Sequence, residues 1–163
     1  MTLAFRVYGV PLPKGNLKPF VRKVRGMMIP IATESNRNVK GWQQLIAEGA
    51  NRAIASLPDT DRVVLDRGVR MTIAFYLPRP KKFSKRGVFV AHCKAPDLDK
   101  LARAVLDALT AIAYLDDAQV TELIARKYYA DVGAPPCADI RVEAAPAATF
   151  PLLEQSERLV HHG

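Results

Sequence analysis

The sequence predicts an α+β fold, a single domain in which two main helices pack on one mixed β-sheet. Segments of alternating apolar pattern are interleaved with two segments of helical period, in the order strand, hairpin, helix, strand, helix, strand, strand. A chain of 163 residues is of single-domain size, and its 49% hydrophobic content is enough for one buried core. Only 25% of residues are charged, and there is no internal repeat, so wholesale disorder is not indicated. The domain is placed at 1–144, with 145–163 as a C-terminal tail that is Ala/Pro-rich and then weakly amphipathic through Leu152, Leu153, Leu159 and Val160.

The first strand rests on Leu3, Phe5, Val7 and Gly9 alternating with Ala4, Arg6 and Tyr8, and Val10-Pro11-Leu12-Pro13-Lys14-Gly15 ends it. Phe20-Val21-Arg22-Lys23-Val24 and Met27-Met28-Ile29-Pro30-Ile31 flank Arg25-Gly26, whose glycine suits a tight hairpin turn. From Ser35 to Leu57, Val39, Trp42, Ile46, Ala50, Ala53 and Leu57 recur at steps of three and four, which predicts an amphipathic helix despite Gly49. Val69, Met71, Ile73 and Phe75 alternate with Arg70, Thr72, Ala74 and Tyr76 as a second core strand, closed by Pro78-Arg79-Pro80. A second helical pattern covers 98–112, and Val120–Asp131 and Ala138–Ala144 read as two further strands.

Charge is unevenly distributed. Residues 1–96 hold 18 Lys/Arg against 5 Asp/Glu, whereas 97–163 hold 6 against 11, within a formal net charge of +8. A basic platform attracts phosphate backbones, and an acidic cluster attracts hard divalent cations. The expected DNA-contacting cations are Lys14, Arg22, Lys23 and Arg25 near the hairpin, Lys81, Lys82, Lys85, Arg86 and Lys94 in the loop 79–95, and Lys127. Phe83, Phe89 and His92 in that loop are aromatic groups suited to stacking on bases. The same hairpin also reads as a solvated edge ribbon, and the same loop as merely solvated. No apolar run approaches the roughly 18 residues of a bilayer span, and the start lacks a signal pattern, so a soluble cytoplasmic protein with no membrane partner is expected. Cys93 and Cys137 are too few and too far apart for a disulfide framework and are read as ordinary thiols.

The informative segment runs from Ala95-Pro96-Asp97-Leu98-Asp99-Lys100 to Tyr114-Leu115-Asp116-Asp117-Ala118-Gln119-Val120. Asp97 stands where a helix N-cap belongs, and Asp99 falls in the first turn with Arg103 one turn on. Singly, these residues read as a cap, an i,i+4 ion pair and a polar turn. Together they are four carboxylates at two element boundaries, expected to converge if helix and following strand pack as neighbours. Clustered carboxylates repel unless a cation lies between them. Oxygen donors without a zinc-spaced His/Cys set favour magnesium, with manganese as the substitute.

The run Asp97-Leu98-Asp99, through Asp107-Ala108-Leu109-Thr110, to Leu115-Asp116-Asp117-Ala118-Gln119-Val120, with Lys127 downstream, resembles the signature of RusA-type Holliday junction resolvases. The Gly9–Gly15 turn resembles the opening of many members, and the tail after Ala144 is not covered. The resemblance implies a homodimer that cuts four-way DNA junctions by paired symmetrical incisions, with magnesium held by aspartates. Its essential aspartates fall on Asp97, Asp99 and Asp117, with Asp116 beside them as a further metal candidate. The family's asparagine after the second aspartate is Lys100 here, and its catalytic lysine is Arg103, so one of these two cations is expected to stabilise developing charge. The rival functions are a metal-dependent nuclease on flaps or other branched DNA, and a non-catalytic DNA-binding protein.

Overall fold

The computed structural model describes residues 2–15, 17–24, 27–34, 38–59, 65–81 and 92–146, with the backbone alone for 17–24 and 27–34. Among these residues six strands and two helices follow in the expected order: β1 Thr2–Tyr8, β2 Leu17–Val24, β3 Met27–Glu34, α1 Val39–Ala55, β4 Val69–Leu77, α2 Leu98–Leu109, β5 Val120–Tyr129 and β6 Cys137–Ala144. Strands β1, β6, β4 and β5 form one mixed sheet in that order. Its β1–β6 and β6–β4 pairs are antiparallel, and β4–β5 is parallel. The β2–β3 hairpin is a separate two-stranded sheet, paired from Leu17↔Glu34 to Val24↔Met27, with its turn outside the described residues.

Strand alternation sorts the sheet into two faces. Register aligns Leu3, Val142, Met71 and Leu123 in one row, Phe5, Ile140, Ile73 and Ala125 in the next, and Val7, Ala138, Phe75 and Lys127 in a third. On the β1, β6 and β4 positions these rows join the core with Trp42, Ile46 and Ala50 of α1 and Leu101, Val105 and Leu109 of α2. The opposite face carries paired charges, Arg6 with Asp139 at 2.6 Å and Arg70 with Glu122 at 2.5 Å. That pairing holds the Arg6 guanidinium above its ordinary pKa, first through the hydrogen bonds to Asp139.

Gly49, a blemish in the helical pattern, marks the close approach of α1 to β1. A Cβ there would lie 3.2 Å from Phe5 Cδ2 and from Val7 Cγ2. The second helix ends at Leu109 rather than 112, because Thr110 is extended and Ala111 turns into the left-handed region at φ 62°. Tyr114 then bridges back to Thr110 and Leu65. Of the expected tail, only 145–146 is described, and the Ala145 amide donates to Gly68 O at 2.8 Å.

Candidate active site

Helix α2 is the crossover between the parallel strands β4 and β5, so it runs antiparallel to both. Its first turn therefore lies beside the C-terminal end of β5. Lys127, the outermost residue of its register row on the helix-covered face, makes the connection. Its ammonium donates to Lys94 O and Pro96 O, each at 2.8 Å, and so braces the segment that delivers Asp97. At the same end His92 is buried, its ring 4.4 Å from that of Tyr129.

Asp97 occupies the N-cap position of α2 but makes no side-chain capping bond. Its carboxylate instead pairs with Lys100 at 2.9 Å, one turn on. The hydrogen bond and charge of Lys100 hold the Asp97 carboxyl below its ordinary pKa, with Lys127 a lesser contributor, and the same contact raises Lys100. Asp99 and Arg103 are exposed and make no ion pair with each other among the described residues. The expected cap and the i,i+4 pair are thus both replaced by one i,i+3 pair, because the Lys100 ammonium reaches the carboxylate that a capped amide would have used.

A second clamp holds the middle of α2. The Lys14 amide donates to Lys100 O at 2.9 Å, and its ammonium pairs with Asp107. Tyr114, fully buried, donates its hydroxyl to Leu106 O at 2.8 Å. Burial, then the charges of Asp117 and Asp107, push that phenol up from its ordinary pKa.

Asp116 and Asp117 lie at the opposite end, where a 3₁₀ turn over Asp117–Gln119 starts β5. Asp116 caps this turn by accepting from the Ala118 amide at 2.8 Å. Gln119 accepts from the amides of Leu115 and Asp116 at 2.8 and 2.9 Å and donates to Leu65 O and Arg67 O at 3.1 and 3.2 Å. Asp117 is left exposed. A helix of the 12 residues of α2 spans about 18 Å. Asp97 and Asp99 are therefore separated from Asp117 by roughly that length. Convergence of the four carboxylates within one chain does not occur, and no group of three His, Cys, Asp or Glu among the described residues is placed to hold a metal ion.

The model of the endodeoxyribonuclease RusA family matches residues 10–143. The chain belongs to the RusA family. It is also 28% identical over 138 residues to an uncharacterized protein, YqaN, of Bacillus subtilis strain 168, which spans 79% of this chain and 89% of that protein. The RusA match makes the chain an endodeoxyribonuclease of a metal-dependent family. Among the described residues, however, the chain does not bring a full metal site together. Asp97 and Asp99 give suitable oxygen donors at one end of α2, while Asp117 and the capping Asp116 stand at the other.

The expected DNA-contacting residues divide three ways. Lys81 and Lys94 are exposed and open to phosphate. Lys14 and Lys127 are committed to Asp107 and to backbone carbonyls, so their first role is to position α2 and its approach. Arg22 and Lys23 lie on β2, of which only the backbone is described, and Arg25, Lys82, Lys85, Arg86, Phe83 and Phe89 lie outside the described residues. His92, packed on Tyr129, is not available to stack on a base. Both cysteines are free. No described helix is long and apolar enough to cross a membrane.

The Lys14–Asp107 clamp and the Lys127 brace join residues 93 and about thirty positions apart, with no local signal to mark them. The Asp116 cap did have one. A cap residue followed three positions later by Gln119 is the local signature of a capping box.

Proposed function

We propose that the chain is a magnesium-dependent endodeoxyribonuclease that resolves four-way DNA junctions by paired symmetrical incisions and works as a homodimer. The observation that carries this reading is the Asp97–Asp99 pair, exposed on the first turn of a rigidly seated helix in a RusA-family chain. A pure phosphate binder gains nothing from carboxylates there. Bound magnesium, or manganese in its place, supplies charge neutralisation at the phosphate and an activated water.

The remaining chemistry belongs to the chain's own groups. Asp97, Asp99 and Asp117 are the proposed metal-holding carboxylates, and Asp116 is set aside for its cap. Lys100 is engaged by Asp97 and fixes that carboxylate in place. Arg103, exposed and without an ion pair among the described residues, is the cation left to bind phosphate oxygens and oppose developing charge. A guanidinium binds phosphate oxygens through two parallel hydrogen bonds, so its role is electrostatic. Exposed Lys81 and Lys94 extend the phosphate track beside the same end.

The test compares a mobile four-way junction, a flap and a linear duplex, each with magnesium and with chelator. Magnesium-dependent paired cuts in the junction are expected, and equal cutting of the flap or duplex would overturn junction specificity. Asp97→Asn, Asp99→Asn and Asp117→Asn are each expected to abolish cleavage while retaining junction binding, as negative charge near phosphate is removed. Light scattering should report about twice the 18.0 kDa chain mass.

A further inference from the structure

We propose that the face of the main sheet turned away from the helices is a binding surface for unpaired nucleotides of the DNA substrate, with Tyr8, Tyr76 and Tyr128 as its stacking platform. It deepens the reading of the chain as a nuclease of branched DNA and rests on that reading for the source of the nucleotides. Both helices pack on one face of the sheet, through the core they share with β1, β4 and β6. Alternation turns the intervening residues to the other face, which no described helix covers.

Register sets Tyr8, Cys137, Tyr76 and Tyr128 in one row across β1, β6, β4 and β5 on that open face. Tyr8 is 59% exposed. The Tyr76 and Tyr128 rings are half-buried, with centroids 5.8 Å apart and planes tilted by 31°. Cys137 is short and buried, so it leaves a gap between Tyr8 and Tyr76, which stand two strand spacings or roughly 10 Å apart. The Arg6 guanidinium lies 6.0 Å from the Tyr76 ring centroid, and both carboxylate oxygens of Asp139 fix its orientation. Aromatic rings and guanidinium planes are the surfaces on which splayed-out bases stack. Beside the row, a groove of about 270 Å³ lies over the short side chains of Ala4, Thr72 and Ala74 and is walled by Arg6, Asp139 and Arg141.

Charge decides between paired and unpaired DNA. Three arginines of this face are engaged by carboxylates, Arg6 with Asp139, Arg70 with Glu122 and Arg141 with Glu143. Arg126, exposed and without an ion pair among the described residues, is the one left for phosphate. A duplex stacks its bases on one another and is gripped through its phosphates, for which this face supplies little. An unpaired base instead offers a π-face, which the tyrosines meet whatever its identity. Position favours the same occupant. Tyr128 adjoins Lys127, which braces Pro96 on the helix-covered side, so the tyrosine row and Asp97 lie at one end of the sheet. Exposed Lys81 and Lys94 stand at that end too and supply cations for a backbone passing over the rim. A nucleotide displaced from a branch point is thereby held next to the carboxylates of α2.

The experiment titrates the full-length chain, in chelator so that nothing is cut, with a fluorescein-labelled oligothymidylate and with a fully paired duplex. Tyr8→Ala should weaken oligothymidylate binding by about tenfold and Tyr8→Phe by less than about twofold, with duplex binding as in the parent. Tyr8 lies outside the buried core, so its truncation tests the surface rather than the fold. Tyr8→Trp adds a direct readout. Its emission, distinguished from buried Trp42 by access to iodide, should be quenched as the oligothymidylate saturates. Unchanged oligothymidylate binding by Tyr8→Ala, or an emission from Tyr8→Trp that does not respond, overturns the proposal. Equal loss of duplex and oligothymidylate binding overturns it too, because stacking on unpaired bases would spare the duplex. A fall in molar mass of Tyr8→Ala by light scattering would assign the face to a second copy of the chain and overturn it likewise. Failure of the parent to cut a four-way junction with magnesium would instead overturn the underlying reading, and it is measured independently of Tyr8.

Discussion

At the first turn of α2, Asp97 is held from outside. Lys127 on β5 grips the carbonyls of Lys94 and Pro96, and Lys100 takes the carboxylate. At the first turn of β5, Asp116 and Gln119 close a capping box among neighbours and tie it to Leu65 and Arg67. Both poles present an exposed carboxylate, Asp99 at one and Asp117 at the other. The first depends on the sheet and helix being assembled, whereas much of the second is specified within five residues. A pole set by long-range contacts is adjusted by distant substitutions, and a pole set by a local cap is adjusted at the cap.

Replacing Lys127 should separate these poles most sharply. Lys127→Met removes two bonds to carbonyls and leaves the approach to Asp97 without its brace. Misplacement of reacting groups by an ångström costs on the order of a hundredfold in rate, so turnover should fall by about that factor with junction affinity changed little. A phosphate-contact role predicts the reverse, weaker binding and a salt dependence shallower by about one unit with turnover retained. Single-turnover cleavage and binding at several salt concentrations decide between the two.

Gln119→Ala should have the next largest effect, on stability. The side chain satisfies two amides and two carbonyls, some of them half-buried, and its loss should lower unfolding free energy by about 2 kcal/mol in urea titrations. Gln119→Glu keeps the acceptor for the amides and loses the donor to Leu65 O and Arg67 O, so it should fall between. A loss under half a kcal/mol for Gln119→Ala would mean that the cap does not organise this pole.

Legibility in the sequence follows the same division. Alternation placed β1, β4 and β6 within about two residues of their ends, because each buries one face and the period of two is strict; β5 was placed as closely, although only Tyr129 along it is buried. The helices were readable from their apolar stripes, but the end of α2 was not, since the positive φ of Ala111 and the Tyr114 bridge carry no glycine or proline to mark them. The aspartates were readable as a set of residue types at two boundaries. Their arrangement was not, because convergence was inferred from α2 and β5 being neighbours, and an antiparallel crossover makes neighbours whose starting ends are far apart. The Lys14–Asp107 clamp is legible only once the turn after β1 is known to cross α2.

The smallest expected effect concerns protonation at the first pole. Lys100 holds the Asp97 carboxyl below its ordinary value of 3.8, mainly through the hydrogen bond and then through charge. A carboxyl depressed in the folded state contributes stability that is fully present above its unfolded value. That contribution is lost as the pH falls below 3.8 and through the folded pKa. Lys100 contributes with the opposite sign. Its raised pKa means that its share is present below the ordinary 10.5 and is lost as the pH rises past it. Between these windows the pair is insensitive to pH, so any change of cleavage rate near neutrality originates elsewhere. Titration of the Asp97 carboxyl carbon by NMR should give a midpoint below 3.8 in the parent and return it towards 3.8 in Lys100→Met. An unmoved midpoint would show that the pair does not form in solution, which would free Lys100 to compete with Arg103 for the phosphate. Under the arrangement argued above, Lys100→Met leaves Arg103 in place and loosens Asp97 alone. Its turnover should therefore fall less than that of Arg103→Ala, for which a drop of roughly a hundredfold is expected.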